Sequence, residues 1–185
     1  MNFHSAPVSP PGVLVIAASD PSGGAGIQAD LLTCAAIGCH PLTVITAVTA
    51  QDTVGVARVV AVDAQLVAEQ ARLLLQDTPV SVCKIGLLGS VANVISVAEV
   101  LSAHPRIQVV LDPVLTSGRG DVLADASIIA AIRHYLLPLT TVLTPNTLEV
   151  RRLAADRIST ATTPTLADCS LHLLELGSEY VLLTG

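Results

Sequence analysis

Five short polar segments interrupt an apolar chain, and they hold the residues best able to do chemistry. The richest is Ala18-Ser19-Asp20-Pro21-Ser22-Gly23-Gly24-Ala25-Gly26-Ile27-Gln28-Ala29-Asp30, which follows the apolar run Val13 to Ala17 and opens a helix. Pro21 and the glycines let the backbone turn sharply and lie close to a small molecule, while a helix starting near Ala25 directs N–H groups back at it. Asp20 and Asp30 offer carboxylate acceptors to such a ligand. Two other readings stay open at this stretch. One is a strand-to-helix turn that uses glycine for geometry alone. The other is the dinucleotide fingerprint G-x-G-x-x-A at Gly24, Gly26 and Ala29, which fits poorly because Ser19-Asp20-Pro21-Ser22-Gly23 separates it from the strand.

Asp112 directly follows Val109-Val110-Leu111, with Pro113 behind it; it suits an acid that meets magnesium or phosphate, or equally one that starts a turn. Asn146-x-x-Glu149 after Thr144-Pro145 is a capping box, whose Glu could also hold Mg²⁺ through water. Gln51 can both donate and accept, which suits the edge of a heteroaromatic ring, or else it is a solvated loop residue. Lys84, the only lysine, stands in the apolar run Val82-Cys83-Lys84-Ile85-Gly86 and needs a partner there, either a ligand phosphate or a carboxylate. The histidines read as structural or surface residues.

These residues must be positioned by strands and helices. At 185 residues and 51% hydrophobic, the chain can bury one sizeable core. With 2% aromatic residues that core is packed from Val, Leu, Ile and Ala, as in parallel strands buried on both faces. A net charge of −6 without any basic run argues against nucleic acid or an anionic membrane as partner. Cys34, Cys39, Cys83 and Cys169 form no C-x-x-C pair and read as small buried hydrophobes rather than zinc ligands. No uncharged apolar stretch is long enough to span a membrane and the N-terminus has no secretory pattern, which makes the cytoplasm the expected location.

Strand and helix patterns alternate from Val13 onward. Strands are predicted at 13–17, 42–48, 56–62, 82–85, 107–111, 141–143 and 180–184. Helices are predicted from Ile27 to Gly38, from Asp63 to Asp77, from Ser90 to Ala103, from Asp125 to Leu137, after Asn146, and up to Gly177, with a polar loop from Ile158 to Thr165. The fold class is therefore α/β, a three-layer α/β/α domain over residues 13–185 with a mainly parallel sheet, preceded by a flexible lead-in over residues 1–12. In such a sheet the segments 18–26, 49–55, 86–89, 112–121 and 144–149 all emerge at the carboxyl edge, where open α/β sheets bind ligands.

Taken in order, the Ala18–Asp30 segment, Val44-Ile45-Thr46-Ala47 with Gln51-Asp52-Thr53, Lys84-Ile85-Gly86-Leu87-Leu88, Val110-Leu111-Asp112-Pro113-Val114 and Thr144-Pro145-Asn146-x-x-Glu149 resemble the hydroxymethylpyrimidine/phosphomethylpyrimidine kinases of thiamine biosynthesis, a ribokinase-like family. The resemblance implies ATP- and Mg²⁺-dependent phosphorylation of an aminopyrimidine alcohol and then of its monophosphate. It places Asp30 and Gln51 on the pyrimidine with Ala18 and Leu87 beside it, and gives Asp112 and Glu149 to the magnesium region. Asn146 falls near the ATP phosphates, a region to which Lys84 is also assigned. It further implies a homodimer. Family members carry a Gly-Ser/Thr-Gly-Cys/Asp loop that is expected beyond Gly185, so the chain reads as the N-terminal portion of such an enzyme, with its catalytic residue unidentified here. Gly118-Arg119-Gly120-Asp121 has similar letters but belongs to another segment. A pyridoxal kinase-like enzyme and a non-catalytic pyrimidine-binding protein are the alternatives.

Overall fold

The computed structural model describes residues 9–117, 119–155 and 164–184. Most of the expected lead-in, and the polar loop up to residue 163, lie outside the described residues.

Strand β1 (Gly12–Ser19) is the spine of the molecule. Its Leu14, Val15, Ile16 and Ala17 are almost wholly inaccessible, so the strand has no solvated face. Side chains alternate across a strand. Leu14 and Ile16 therefore enter the large core with residues such as Val67 and Val94, while Val15 and Ala17 pack on the other face against Ile27, Leu31 and Cys34. Burial on both faces is the condition under which a parallel sheet forms.

The remaining elements follow as α1 (Gly26–Ala36), β2 (His40–Gln51), β3 (Val56–Ala61), α2 (Ala64–Asp77), β4 (Val80–Ile85), α3 (Val91–Ser102) and β5 (Gln108–Leu111). Then come α4 (Ala126–Ala131), β6 (Val142–Leu143), α5 (Thr147–Leu153), α6 (Leu166–Glu175) and β7 (Tyr180–Val181). The seven strands stand in the order β3-β2-β1-β4-β5-β6-β7. All neighbours are parallel except β2 and β3.

Local signals account for most helix starts. Asp63 accepts from the N–H groups of Gln65 and Leu66, Ser90 from Asn93, and Asp125 from Ser127 and Ile128. Each satisfies donors that the first helical turn leaves unpaired.

The fold departs from the sequence reading in four places. Strand β2 runs on to Gln51 and turns back into β3 as an antiparallel hairpin, closed by Asp52 Oδ1 accepting from Val54 and Gly55. Helix α1 keeps α geometry only to Ala36, and Gly38, at φ +79°, ends it as a C-cap glycine does. The helix expected from Asp125 to Leu137 keeps α geometry only to Ala131, widens over Ile132–Leu136 and tightens at Leu137–Leu139, where Pro138 has no N–H to give. The last strand is short, with Thr184 adding one further bridge to Asn146. Cys83 and Cys169 are buried as expected, whereas Cys34 and Cys39 are only partly so. Burial pushes the Cys83 thiol up to about 12.

Candidate active site

From β1 the chain winds outward through β2 and β3, then crosses back to β4 on the other side of β1. That reversal opens a crevice at the carboxyl ends of β1 and β4, where doubly wound sheets receive ligands. A cavity of about 200 Å³ lies there. It is smaller than a drug-sized pocket and suits a single substituted ring. Its walls are the end of β1 with the following loop (Ala18, Asp20, Gly26), the β2–β3 hairpin (Thr49, Gln51, Val56), the end of β4 (Lys84, Gly86, Leu87) and the segment after β5 (Asp112, Val114, Ser117).

The first loop is held by its own side chains. Asp20 Oδ1 accepts from the Ser22 N–H at 2.8 Å and the Ser22 hydroxyl at 2.7 Å, and Oδ2 accepts from the Ala25 N–H at 2.8 Å. Burial alone would raise the Asp20 pKa, yet these hydrogen bonds, led by the Ser22 hydroxyl, hold it below the ordinary carboxylate value. Asp20 therefore shapes the loop while also standing on the cavity wall. Gln28 braces the same turn from α1, accepting from the Asp20 N–H at 2.9 Å and donating to the Ser19 hydroxyl at 2.8 Å. The sequence reading gave Gln28 no role, although its spacing one turn into the helix was the available signal. Gly26 sits at φ +59°, and a Cβ there would collide with the Ala18 carbonyl oxygen.

Of the residues predicted to meet the pyrimidine, Ala18, Gln51 and Leu87 come together on the cavity wall. Gln51 stands at the end of β2 rather than in a loop, so the hairpin fixes its direction. Asp30 is not on the wall; its Oδ2 accepts from Lys84 Nζ at 2.9 Å. Leu87 is anchored through its backbone, because the Thr46 hydroxyl donates to the Leu87 carbonyl. Beside it, Asn93 Nδ2 donates to the Leu88 carbonyl at 2.7 Å and to the Thr46 carbonyl at 3.0 Å. Both Thr46 and Asn93 are fully buried. Two buried polar side chains thus tie β2, the loop after β4 and α3 together, and the sequence reading passed over both because each looks ordinary in its own element.

Asp112 faces the cavity with a half-buried carboxylate, its Oδ2 3.8 Å from Lys84 Nζ. Burial raises its pKa above the ordinary value, Lys84 opposes that rise, and Asp30 adds to it. Glu149 is nearly inaccessible, and its carboxylate joins two segments: Oε2 accepts from the Asn146 N–H at 2.9 Å and Oε1 from the Leu115 N–H at 3.3 Å. Burial raises its pKa as well, against those two bonds. Asn146 completes the capping box of α5, accepting from Leu148 and Glu149. Neither Asn146 nor Glu149 lines the cavity. Asp121 also stands off it, accepting from the Val56 N–H at 3.2 Å and from the Ser117 hydroxyl at 2.7 Å, which pins the 116–122 turn to the β2–β3 hairpin.

No group of three or more His, Cys, Asp or Glu that could hold a metal ion occurs among the described residues. Magnesium needs less than that, since it keeps several waters and takes one or two carboxylates together with substrate phosphates. Asp112, open to the cavity, fits that donor set, whereas both oxygens of Glu149 already hold backbone N–H groups.

The sheet order and the crevice define a ribokinase-like α/β domain. The phosphomethylpyrimidine kinase crystal structure from Clostridium difficile 630 superposes with a TM-score of 0.83 at 34% identity, covering 95% of this chain and 75% of that one. A pyridoxal kinase from Staphylococcus aureus, solved with AMP-PCP and pyridoxal, gives 0.79 at 27% identity, covering 96% and 63%. Residues 20–185 match the phosphomethylpyrimidine kinase family, and the chain belongs to it. It is 40% identical over its whole length to a hydroxymethylpyrimidine/phosphomethylpyrimidine kinase of Streptomyces coelicolor and covers 68% of that protein. The chain spans about one third of the bifunctional chloroplastic thiamine biosynthetic proteins it matches. No helix among the described residues is long and apolar enough to cross a membrane.

Proposed function

We propose that the protein takes part in ATP-dependent phosphorylation of 4-amino-5-hydroxymethyl-2-methylpyrimidine and then of its monophosphate, for thiamine diphosphate synthesis. The observation that carries this reading is the single-ring cavity at the β1/β4 crevice, where Ala18, Gln51 and Leu87 converge. Gln51 presents an amide that makes no other side-chain hydrogen bond among the described residues, so it is free to pair with the amino group and ring nitrogen of an aminopyrimidine. The substrate oxygen attacks the γ-phosphorus, the bond to the ADP oxygen breaks so that ADP leaves, and the hydroxyl proton is released to solvent. In the second round an oxygen of the monophosphate is the nucleophile. Such transfer depends on alignment and charge neutralisation. Mg²⁺ supplies the latter when bound, with Asp112 as its protein carboxylate. Glu149 holds the Asn146 end of α5 in place behind it, and Asn146 serves the ATP phosphates.

The family reading extends to residues 13–185 as one kinase domain, a homodimer, and the cytoplasm. Sedimentation of the purified protein checks the dimer. The test of function is calorimetric binding of the aminopyrimidine alcohol to wild type and to Gln51→Ala. A loss of about five- to thirtyfold in the variant, with unchanged melting, supports the assignment, since a buried ligand hydrogen bond of this kind is worth about 1–2 kcal/mol. Unchanged affinity refutes it. The pyridoxal reading, favoured by the likeness to the Staphylococcus enzyme, predicts instead that pyridoxal binds more tightly than the pyrimidine.

A further inference from the structure

We propose that Lys84 is the group that recognises the phosphate of the second-round substrate, separating the pyrimidine monophosphate from the pyrimidine alcohol, and that Asp30 acts on the substrate only by holding Lys84. This rests on the pyrimidine kinase reading and assigns one of its residues more narrowly.

Lys84 emerges from β4 into the cavity that Ala18, Gln51 and Leu87 line, whereas Asn146, the residue given to the nucleotide phosphates, does not reach it. The ammonium is thus on the acceptor's side. It is the only lysine of the chain, and no arginine among the described residues lines the cavity, so among them it is the one full cation on the wall for an anionic group bound there. An ammonium has three donors. Here one is spent, on Asp30 at 2.9 Å, while Asp112 stands at 3.8 Å, beyond hydrogen-bond reach. Space beside the ammonium is kept open by Gly86, where a Cβ would come within 3.2 Å of both Nζ and the Ala17 Cβ.

Asp30 does not line the cavity, so its carboxylate acts at one remove. It fixes a four-carbon stem that would otherwise lose rotamer freedom on each binding event. A neutral hydroxymethyl group gains little from a cation, but a phosphomonoester gains a charge-assisted hydrogen bond, among the strongest a side chain offers. The site therefore needs Lys84 for its second substrate far more than for its first.

Binding of the alcohol and of the monophosphate, each without nucleotide, is measured by calorimetry on wild type, Lys84→Gln, Lys84→Arg, Asp30→Asn and the Lys84→Gln/Asp30→Asn pair. Lys84→Gln is expected to weaken the monophosphate at least tenfold and the alcohol less than threefold, with Lys84→Arg recovering part of the loss. Asp30→Asn is expected to leave the alcohol unchanged, and its effect on the monophosphate is expected to vanish when Lys84 is already Gln. Equal weakening of both ligands by Lys84→Gln, or of neither, overturns the assignment. Loss of the alcohol in Asp30→Asn overturns the indirect role. Wild type that binds neither ligand sinks the kinase reading itself. Should the variants fold poorly, wild type labelled with ¹⁵N-lysine gives a single Nζ resonance. That signal should move on addition of the monophosphate and stay still with the alcohol; a signal indifferent to both refutes the proposal.

Discussion

Alanine substitutions at two glycines of the first loop isolate what that loop does for the ligand. Gly23 and Gly26 both sit at positive φ, +74° and +59°, so Gly23→Ala and Gly26→Ala share the cost of placing an L side chain in the left-handed region, about 1–2 kcal/mol. They differ in what the new methyl meets. At Gly23 nothing lies within 4 Å, whereas at Gly26 the methyl runs into the Ala18 carbonyl and comes 3.3 Å from the Asp20 Cβ. Overpacking of that kind adds about 1–3 kcal/mol. The expected losses are therefore about 1–2 kcal/mol for Gly23→Ala and about 2–5 kcal/mol for Gly26→Ala. At roughly 2–4 °C per kcal/mol for a chain of this size, melting should fall by about 2–8 °C and 4–20 °C respectively. The sharper contrast is in binding, because Ala18 is a cavity wall and is pushed by the clash at Gly26 alone. Calorimetry with the aminopyrimidine alcohol, at a temperature where both variants remain folded, should give near-wild-type affinity for Gly23→Ala and a loss of at least tenfold for Gly26→Ala. Equal affinities in the two variants, whether both intact or both lost, would refute the view that the Gly26 contact sets the position of Ala18.

Glu149→Gln retains the shape of the side chain but offers one acceptor oxygen to two N–H groups, the buried one of Leu115 and the partly buried one of Asn146; denaturant titration should show a loss of about 1–3 kcal/mol, and an unchanged midpoint would count against the bridge. Because burial raises rather than lowers the Asp112 pKa, its contribution to stability is complete below the ordinary value near 3.8 and fades as pH rises through the raised one. Binding of a divalent cation, which needs the ionised carboxylate, should run the other way and weaken as pH falls through that same window. Asp30→Asn removes a charge that raises the Asp112 pKa, so a carboxylate NMR titration should find the Asp112 midpoint lower in this variant, and an upward move contradicts the arrangement. Asp121 itself lies off the cavity, and Asn keeps an acceptor for the Val56 N–H and the wall residue Ser117, so Asp121→Asn should leave pyrimidine affinity intact by calorimetry; a lost affinity would mean that the charge of Asp121 is needed to hold that wall.

Features encoded within a few residues were legible in the sequence. Asp63, Ser90 and Asp125 announce their helices because a cap and its donors are two or three positions apart, and the Asn146/Glu149 box is read in the same way. The carboxyl rim was legible too, since parallel strands send all their following loops to one edge. What the sequence hid depends on distance along the chain. Lys84 visibly needs a partner, but nothing local says that the partner is Asp30, fifty-four positions away. The antiparallel course of β3 left no mark in the sequence because, as an edge strand, it has no buried face to give a pattern. The part Asp20 plays in its own turn was hidden because a carboxylate facing a ligand and one engaged by its turn look alike until hydrogen bonds are placed.

The buried tie of Thr46 and Asn93 has a consequence for how the molecule opens. It couples the hairpin that carries Gln51 to the loop that carries Leu87, so neither wall of the crevice can detach while the other stays closed. The two walls are therefore expected to open as one cooperative unit, with amide hydrogens of β2 and of residues 86–89 exchanging with solvent through a single shared opening. A ligand seated between Gln51 and Leu87 then slows exchange on both sides by the same factor, because it closes one door rather than two.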